Sequence, residues 1–253
     1  PHVDGSVDPV RDMETIDFEL QVKDMESVEK KLQRLEKLVR AGDKDAVYGC
    51  GVLKRYREHI GNFNNARTLE IKEEDKKYID DLFLLTMKPV MYVCNVDEKS
   101  AVAGNRYVDK VKESLKGKDV EIIVIAGAVE ADIAELENSE DRLAFLKDAG
   151  LDEPGVDKMV RAAYKMLNLQ TFFTVGPKEI RAWTIKKGMT APQASGVIHS
   201  DLERGFIRAE VMKYHDFITL GSEHACKEAG KFYIEGKTYV VEDGDILHIR
   251  FNV

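Results

Sequence analysis

Asn95-Val96-Asp97-Glu98 and Ala126-Gly127-Ala128 are the stretches of this sequence best placed to do chemistry on a small molecule. The first supplies an amide and two carboxylates; the second leaves backbone groups accessible beside small side chains. Each follows a short apolar run rich in β-branched residues, Pro89 to Cys94 and Val120 to Ile125, which reads as a buried strand. Arg106 to Leu115, between them, places apolar residues at helical spacing. Strand, helix and strand together form a unit of a parallel sheet, and such sheets collect ligands at the carboxyl ends of their strands. On residue type alone a polar residue after a strand serves equally well as a turn or a helix cap.

The rest of the chain must position those loops. With 253 residues, 43% of them hydrophobic, it can bury more than one core, and one or two domains are expected. No apolar run is long enough to cross a bilayer, and the opening residues show no secretory pattern, so no membrane partner is expected. Cys50, Cys94 and Cys226 are odd in number and widely spaced, which excludes a disulfide framework and a close-spaced metal motif and suits a cytoplasmic location. A net charge of −8 argues against a generally basic, nucleic-acid-coating surface. Lys186, Lys187, Arg204 and Arg208 are candidates for a local RNA-facing patch, the alternative being an ordinary solvated face.

Residues 1–15, with Pro9 and two acidic turn signals, read as a loop leading into a helix. From Ile16 onward Met25, Val28, Leu32, Leu35 and Val39 recur at steps of three and four, a narrow seam along one long helix that Gly42 stops. Asp45–His59 and Glu73–Leu85 read as further helices, with a turn at Gly61 to Asn65. The group is either a projecting coiled-coil arm, which the narrow seam favours, or a bundle covering the neighbouring sheet. Beyond Gly127, helices are expected over Glu130–Leu136, Glu140–Ala149 and Val156–Leu167. Two parallel strands are too few for a sheet that should be covered on both faces, so this α/β domain looks incomplete.

A different pattern starts near Leu169. Thr171–Val175 and Glu179–Ile185 flank Gly176-Pro177 as a hairpin, Thr190–His199 reads as a helix, and Phe206–Tyr214 returns as a strand. Lys231–Ile234, Thr238–Val241 and Ile246–Phe251 supply the remaining strands. That order is one of a small β-grasp domain. Trp183 is expected to pack in its core or half-buried against it, with base stacking as the alternative, and His199 either ends a helix as a packing residue or lines a binding surface.

Several segments together resemble the Obg-like ATPases of the YchF family, within the translation-factor-related P-loop GTPases. They are Gly5 to Asp12, Asn95 to Glu98, Phe172 to Thr184, Ala191 to His199 and Gly205 to Val211, and the resemblance extends over nearly the whole chain. It implies that residues 1–15 end the first part of a nucleotide-binding domain, 16–85 form a helical coiled-coil insertion, 86–167 the second part of a P-loop NTPase parallel sheet, and 168–253 a β-grasp TGS domain. It further implies ATP as ligand, ATP hydrolysis in the cytoplasm, and the ribosome, through its RNA or protein, as partner.

By the same resemblance the base-recognition motif is Asn95-Val96-Asp97-Glu98, with Glu98 where related GTPases place an aspartate that accepts from guanine. Asn95 would hold the loop and reach a base nitrogen, and the Val96 backbone would face the base edge. Ala126, Gly127 and Ala128 stand where the family usually has a small hydroxyl residue, alanine and lysine, so recognition there would be through the backbone. No GxxxxGK[ST] segment occurs; Gly236-Lys237-Thr238 ends like one, but Gly230 lies one position too early. The chain thus looks like a member without its phosphate-binding N-terminal half, which would carry the Mg²⁺ ligands. Its 253 residues alone are expected to be inactive and an intact parent to be an ATPase. The alternative is a nonenzymatic ribosome or RNA adaptor.

Overall fold

A proline that reads as a loop residue in the sequence instead starts the first helix. In the computed structural model, which describes residues 5–176 and 179–252, Asp8 accepts from the Val10 amide at 3.2 Å and Pro9 opens α1 (Pro9–Arg40). At the first helical position the missing N–H has no intrahelical partner to lose, and the fixed φ already suits the turn. The helix therefore begins well before the expected onset near Ile16; Pro1 to Asp4, part of the same expected loop, lie outside the described residues. The chain divides into two units, one ending at Met159 and the other starting at Val160.

In the first unit Gly42, at φ +89°, turns the chain, and Asp43 caps α2 (Lys44–Gly61) by accepting from Asp45 and Ala46. α2 runs back along α1. The expected seam lies between them: Val28 and Leu32 are buried against Leu53, Tyr56 and Ile60, with Met25, Leu35 and Val39 packed alongside. Gly49 permits the close approach, because a Cβ there would stand 2.7 Å from the Tyr78 ring and 2.9 Å from Leu35.

The third helix expected over Glu73–Leu85 does not form. The segment is a string of 3-10 turns, Glu73–Tyr78, Asp80–Leu82 and Leu85–Met87, interrupted by Phe83 at φ +47°. Side-chain acceptors take amides at its two ends, while amides between them close i→i+3 turns to the backbone. Asp75 accepts from Lys72 N, while Asp24 of α1, itself buried, accepts from Leu85 N (2.6 Å), Thr86 N (2.7 Å) and the Thr86 hydroxyl (2.7 Å). The same hydroxyl accepts from Ala66 N at 2.8 Å. Asp75 is held by Arg55 and Tyr48; burial pushes its carboxyl up, but these bonds win and leave it below the usual carboxylate range.

β1 (Met91–Asn95) follows, then α3 (Glu98–Ala103), α4 (Arg106–Ser114) and β2 (Glu121–Ile125), which pairs in parallel with β1 from Met91↔Glu121 to Asn95↔Ile125. β1 is less buried than its sequence suggests: only β2 pairs with it among the described residues, and Val93 is 40% exposed. α5 (Gly127–Glu135), α6 (Ser139–Asp148) and α7 (Gly155–Met166) complete the helices, the last carrying the chain into the second unit.

That unit holds a mixed sheet. β3 (Leu169–Val175) and β4 (Ile180–Lys186) form the expected antiparallel hairpin, closed by Gly176 N donating to Glu179 O at 2.9 Å; Pro177 and Lys178, in its turn, lie outside the described residues. α8 (Ala191–Ile198), α9 (Ser200–Arg204), β5 (Phe206–Lys213), α10 (Tyr214–Leu220), α11 (Glu223–Glu228), β6 (Tyr233–Glu235) and β7 (Asp245–Phe251) follow, in the sheet order β4-β3-β7-β5-β6. Only β3 and β7 run parallel. The strand expected over Thr238–Val241 reduces to one bridge, Thr190↔Val240, because Val241 turns into the core that α8 shares with Phe172, Ile185 and Leu247. On the opposite face Phe173, Met212 and Ile246 meet Phe217 and Cys226. Neighbouring phenylalanines of one strand thus serve two cores, as strand alternation requires.

Two buried carboxylates fix this sheet. Asp245 accepts from Lys213 Nζ (2.7 Å), Tyr239 OH (2.7 Å) and Glu242 N (2.8 Å); burial first, with the Asp245 carboxylate beside it and against the pull of Lys213, pushes the Tyr239 hydroxyl up to about 12. Glu210 takes a two-point contact from Arg250, at 3.0 and 2.9 Å, which holds its carboxyl below the usual range.

Replacing Asp24 by Ala would leave three donors without their acceptor, the two of Thr86 buried, and should cost the first unit on the order of 3 kcal/mol, against about 0.5 kcal/mol or less for Glu26→Ala on the exposed face. Urea unfolding of both variants checks this. For Glu210, a folded pKa below the ordinary 4.5 means that its stabilisation is complete above that value and is lost as pH falls through the folded one. Unfolding curves from neutral to acid pH should show Glu210→Gln less stable than the parent, with the gap narrowing as the solution is acidified.

Candidate functional site

The parallel pairing of β1 with β2 brings the two polar loops together. The ladder extends one step past the strands, Val96 N donating to Ile125 O at 2.9 Å. Beyond it Asn95 Oδ1 accepts from Gly127 N, also at 2.9 Å, so a side chain of the first loop ties down the backbone of the second. A Cβ on Gly127 would stand 3.1 Å from that oxygen, tighter than side chains normally pack. With Oδ1 so engaged, the Asn95 amide is oriented, and its Nδ2 donors make no hydrogen bond among the described residues at an exposed position.

Asp97 is committed to the fold. It caps α3, accepting from Ser100 N at 3.0 Å and the Ser100 hydroxyl at 2.8 Å, and that hydroxyl chiefly holds its carboxyl below the usual range. Glu98, one residue on in the first turn of α3, is exposed and makes no hydrogen bond or ion pair among the described residues. Ala126 is buried and precedes α5; Ala128 is exposed on its first turn. The structure therefore gathers Asn95, Val96, Ala126 and Gly127 at one strand end, with Glu98 and Ala128 at the starts of the two helices that leave it.

Behind the loops sits a residue the sequence pattern does not single out. Glu130 accepts from Gly155 N (2.6 Å) and Val156 N (3.3 Å), capping α7 from a distance. Gly155 has no room for more: a Cβ would lie 2.6 Å from Ile125 Cγ2, at the end of β2. The sequence signal for it is the acidic residue three positions after Gly127, but nothing in the spacing shows which amides it reaches. On the other side of β1, a concavity of about 510 Å³ is lined by Tyr92, Cys94, Asn95, Val96, Asn105 and Tyr107 among others. Burial pushes the Cys94 thiol up, so it is no ready nucleophile. Among the described residues no three His, Cys, Asp or Glu stand together as a metal site, and no helix is long and apolar enough to cross a membrane.

In the second unit, the four basic candidates separate into two kinds. Arg204 is paired with Asp201 at 2.6 Å and Arg208 with Glu210 at 3.5 Å, whereas Lys186 and Lys187, at the end of β4, are exposed with no ion pair among the described residues. Trp183 is half-buried, donating to the Thr174 hydroxyl at 2.9 Å with the Arg181 guanidinium 4.2 Å from its ring centroid. His199 caps α9 by accepting from Asp201 N at 3.2 Å.

Comparison with known proteins extends this picture. Residues 169–252 match the family described as YchF-GTPase_C, protein of unknown function (DUF933). The "Ribosome-binding ATPase YchF" of Bacillus subtilis (strain 168) is 48% identical over 254 residues, an alignment covering 100% of this chain and 69% of that protein. The "Obg-like ATPase 1" of Rattus norvegicus is 42% identical, covering 99% of this chain and 64% of the relative. A solved structure titled as the Schizosaccharomyces pombe YchF GTPase superposes with a TM-score of 0.86 at 34% identity, covering 99% of this chain and 68% of that one. The match runs through both units and both loops, and on it the chain belongs to the YchF family.

Proposed function

We propose that this chain is the base-recognising and ribosome-contacting portion of a cytoplasmic ATP-binding, ATP-hydrolysing protein that works on the ribosome. The observation that carries the reading is the match, over the whole chain, to a relative named a ribosome-binding ATPase. In this reading residues 1–15 and 86–167 belong to the nucleotide-binding domain, 16–85 are a coiled-coil insertion and 168–253 a β-grasp TGS domain. The mixed sheet with α8 on one face supports the last assignment.

The residues present fit a nucleobase but not a triphosphate. Asn95, anchored through Oδ1 to Gly127, would offer Nδ2 to a ring nitrogen of adenine, with the Val96 and Ala126–Ala128 backbone along the base edge. An aspartate here would accept from the guanine ring and amino nitrogens; the extra methylene of Glu98 moves the carboxylate out of that pair, and adenine presents a different donor and acceptor edge. None of the 253 residues supplies the glycine-rich amide cradle and lysine that hold phosphates, and no acidic cluster among the described residues would hold Mg²⁺. Hydrolysis therefore requires a phosphate-binding segment beyond these residues. If this chain acts without one, the nonenzymatic ribosome adaptor becomes the better reading, and the absence of GxxxxGK[ST] from its sequence is the observation that favours it.

Relatives are titled both ATPase and GTPase, so base choice is the property to test. In the protein carrying this chain, Glu98→Asp should lower the ratio of ATP to GTP affinity by roughly tenfold, the scale on which one displaced hydrogen bond discriminates. Isothermal calorimetry with both nucleotides measures it, and an unchanged ratio rejects the role of Glu98. For the ribosome contact, Lys186→Glu with Lys187→Glu should weaken cosedimentation with ribosomes. It should also reduce the slope of log affinity against log salt by about 1.4 to 1.8, the value for two phosphate contacts. Circular dichroism confirms folding, and undiminished binding by the folded variant moves the contact elsewhere.

A further inference from the structure

Phe63 stands where a glycine would be free of strain. α2 ends in a Schellman turn, with Phe63 N donating to Ile60 O at 2.9 Å and Asn64 N to His59 O at 3.3 Å. The residue after the cap of such a turn adopts left-handed φ and is usually glycine. Here it is a phenylalanine at φ +59°, and the residue is 72% exposed. A largely exposed aromatic side chain held in a disfavoured backbone state, with one aromatic neighbour in return, points to a use for the ring. The turn itself is over-determined: Gln21 donates to Phe63 O and to Asn65 Oδ1, and Asn65 donates to Asp17.

Around this ring the first unit exposes more apolar surface. Phe18, 49% exposed, lies 5.9 Å from Phe63 between ring centroids, and Val22 and Met25 continue from it at i+4 and i+7 along α1. Two concavities meet at the pair, one of about 250 Å³ toward Met25 and Ile60, the other of about 750 Å³ toward Tyr92. Their rim is acidic. The smaller is lined by Glu26 and Glu29 and by no cation, although Lys23 pairs with Glu26 at 3.3 Å. The larger sets Glu14, Asp17 and Asp119 against Arg67 and Lys118, Arg67 being already engaged by the Thr86 carbonyl.

We propose that this face, at the root of the α1–α2 hairpin, docks a lysine- or arginine-rich protein segment that inserts a large apolar side chain beside the Phe18 and Phe63 rings. The apolar floor and aromatic pair supply the anchor pocket, and the carboxylates supply charge complementarity. The same carboxylates disfavour a polyanion, so RNA is not the occupant. That the segment belongs to a ribosomal protein rests on the function proposed above; the chemistry of the face does not.

Phe63→Gly separates this role from a structural one, because glycine accepts φ +59° without strain. The variant chain should melt at the same temperature as the parent or higher. It should bind a Lys/Leu amphipathic helical peptide at least about tenfold more weakly in fluorescence anisotropy, as expected for loss of a central aromatic anchor. Glu26→Lys with Glu29→Lys should also weaken peptide binding, and a photo-crosslinking phenylalanine at position 63 should label ribosomal protein when ribosomes are added. A lower melting temperature with unchanged peptide affinity overturns the proposal, as does absence of peptide binding by the parent, or labelling only of ribosomal RNA or of a second copy of the chain. Ribosome cosedimentation that persists beside Phe63-independent peptide binding refutes the face and leaves the ribosome reading intact. Phe63-dependent peptide binding without cosedimentation does the reverse.

Discussion

The buried carboxylate of Asp24 fixes the route by which the helical hairpin delivers the chain to its sheet. Leu85 and Thr86 are held by Asp24 only a few residues before β1, and through the Thr86 hydroxyl the same group reaches Ala66. A carboxylate with three donors is strongly held, and its position on α1 sets where the strand can start. The end of the 73–87 segment gives two amides to Asp24, and the rest of it closes short 3-10 turns in place of an α-helix. The order of dependence runs from one acid on α1, through a string of tight turns, to the strand that ends in Asn95.

At the strand ends the same economy recurs with weaker parts. Asn95 holds the Gly127 amide and Glu130 holds the start of α7, so neither loop depends on a bound ligand for its shape among the groups described. What remains unbonded among the described residues, at exposed positions, is the Asn95 amide nitrogen and the Glu98 carboxylate, a donor and an acceptor on a backbone frame already set. In the function proposed above, preorganisation of this kind would lower the ordering cost of recognising a flat base.

Much of this is legible in the sequence because it rests on periodicity. The Met25-to-Val39 seam, the β1–α4–β2 unit, the β3–β4 hairpin and β5 follow from where apolar residues recur, and burial enforces that pattern. What is not legible depends on single polar contacts between distant residues. Nothing local to Glu73–Leu85 reveals that Asp24 will take its amides, and Glu130 announces no interest in Gly155. Pro9 misleads for a related reason: the same residue breaks a helix or begins one, and only Asp8 in place as a cap decides. Short helices such as α3, α10 and α11 escape because their caps, Asp97 and Ser222 among them, read as turn residues. That the Asn95-to-Glu98 and Ala126-to-Ala128 loops lie side by side follows from the parallel pairing of the two strands, while the bond from Gly127 N to Asn95 Oδ1 is visible only in the structure.

The chain has a single tryptophan, and it lies in the second unit, fixed by the Thr174 hydroxyl and shielded by the Arg181 guanidinium. Intrinsic fluorescence excited where tyrosine does not absorb is therefore a private channel on the β3–β4 hairpin. The first unit, with α1 and α2, is dark in that channel but dominates the helical signal in the far ultraviolet. The two optical probes follow different halves of one polypeptide, so the separation of their melting curves measures directly how independently the halves unfold.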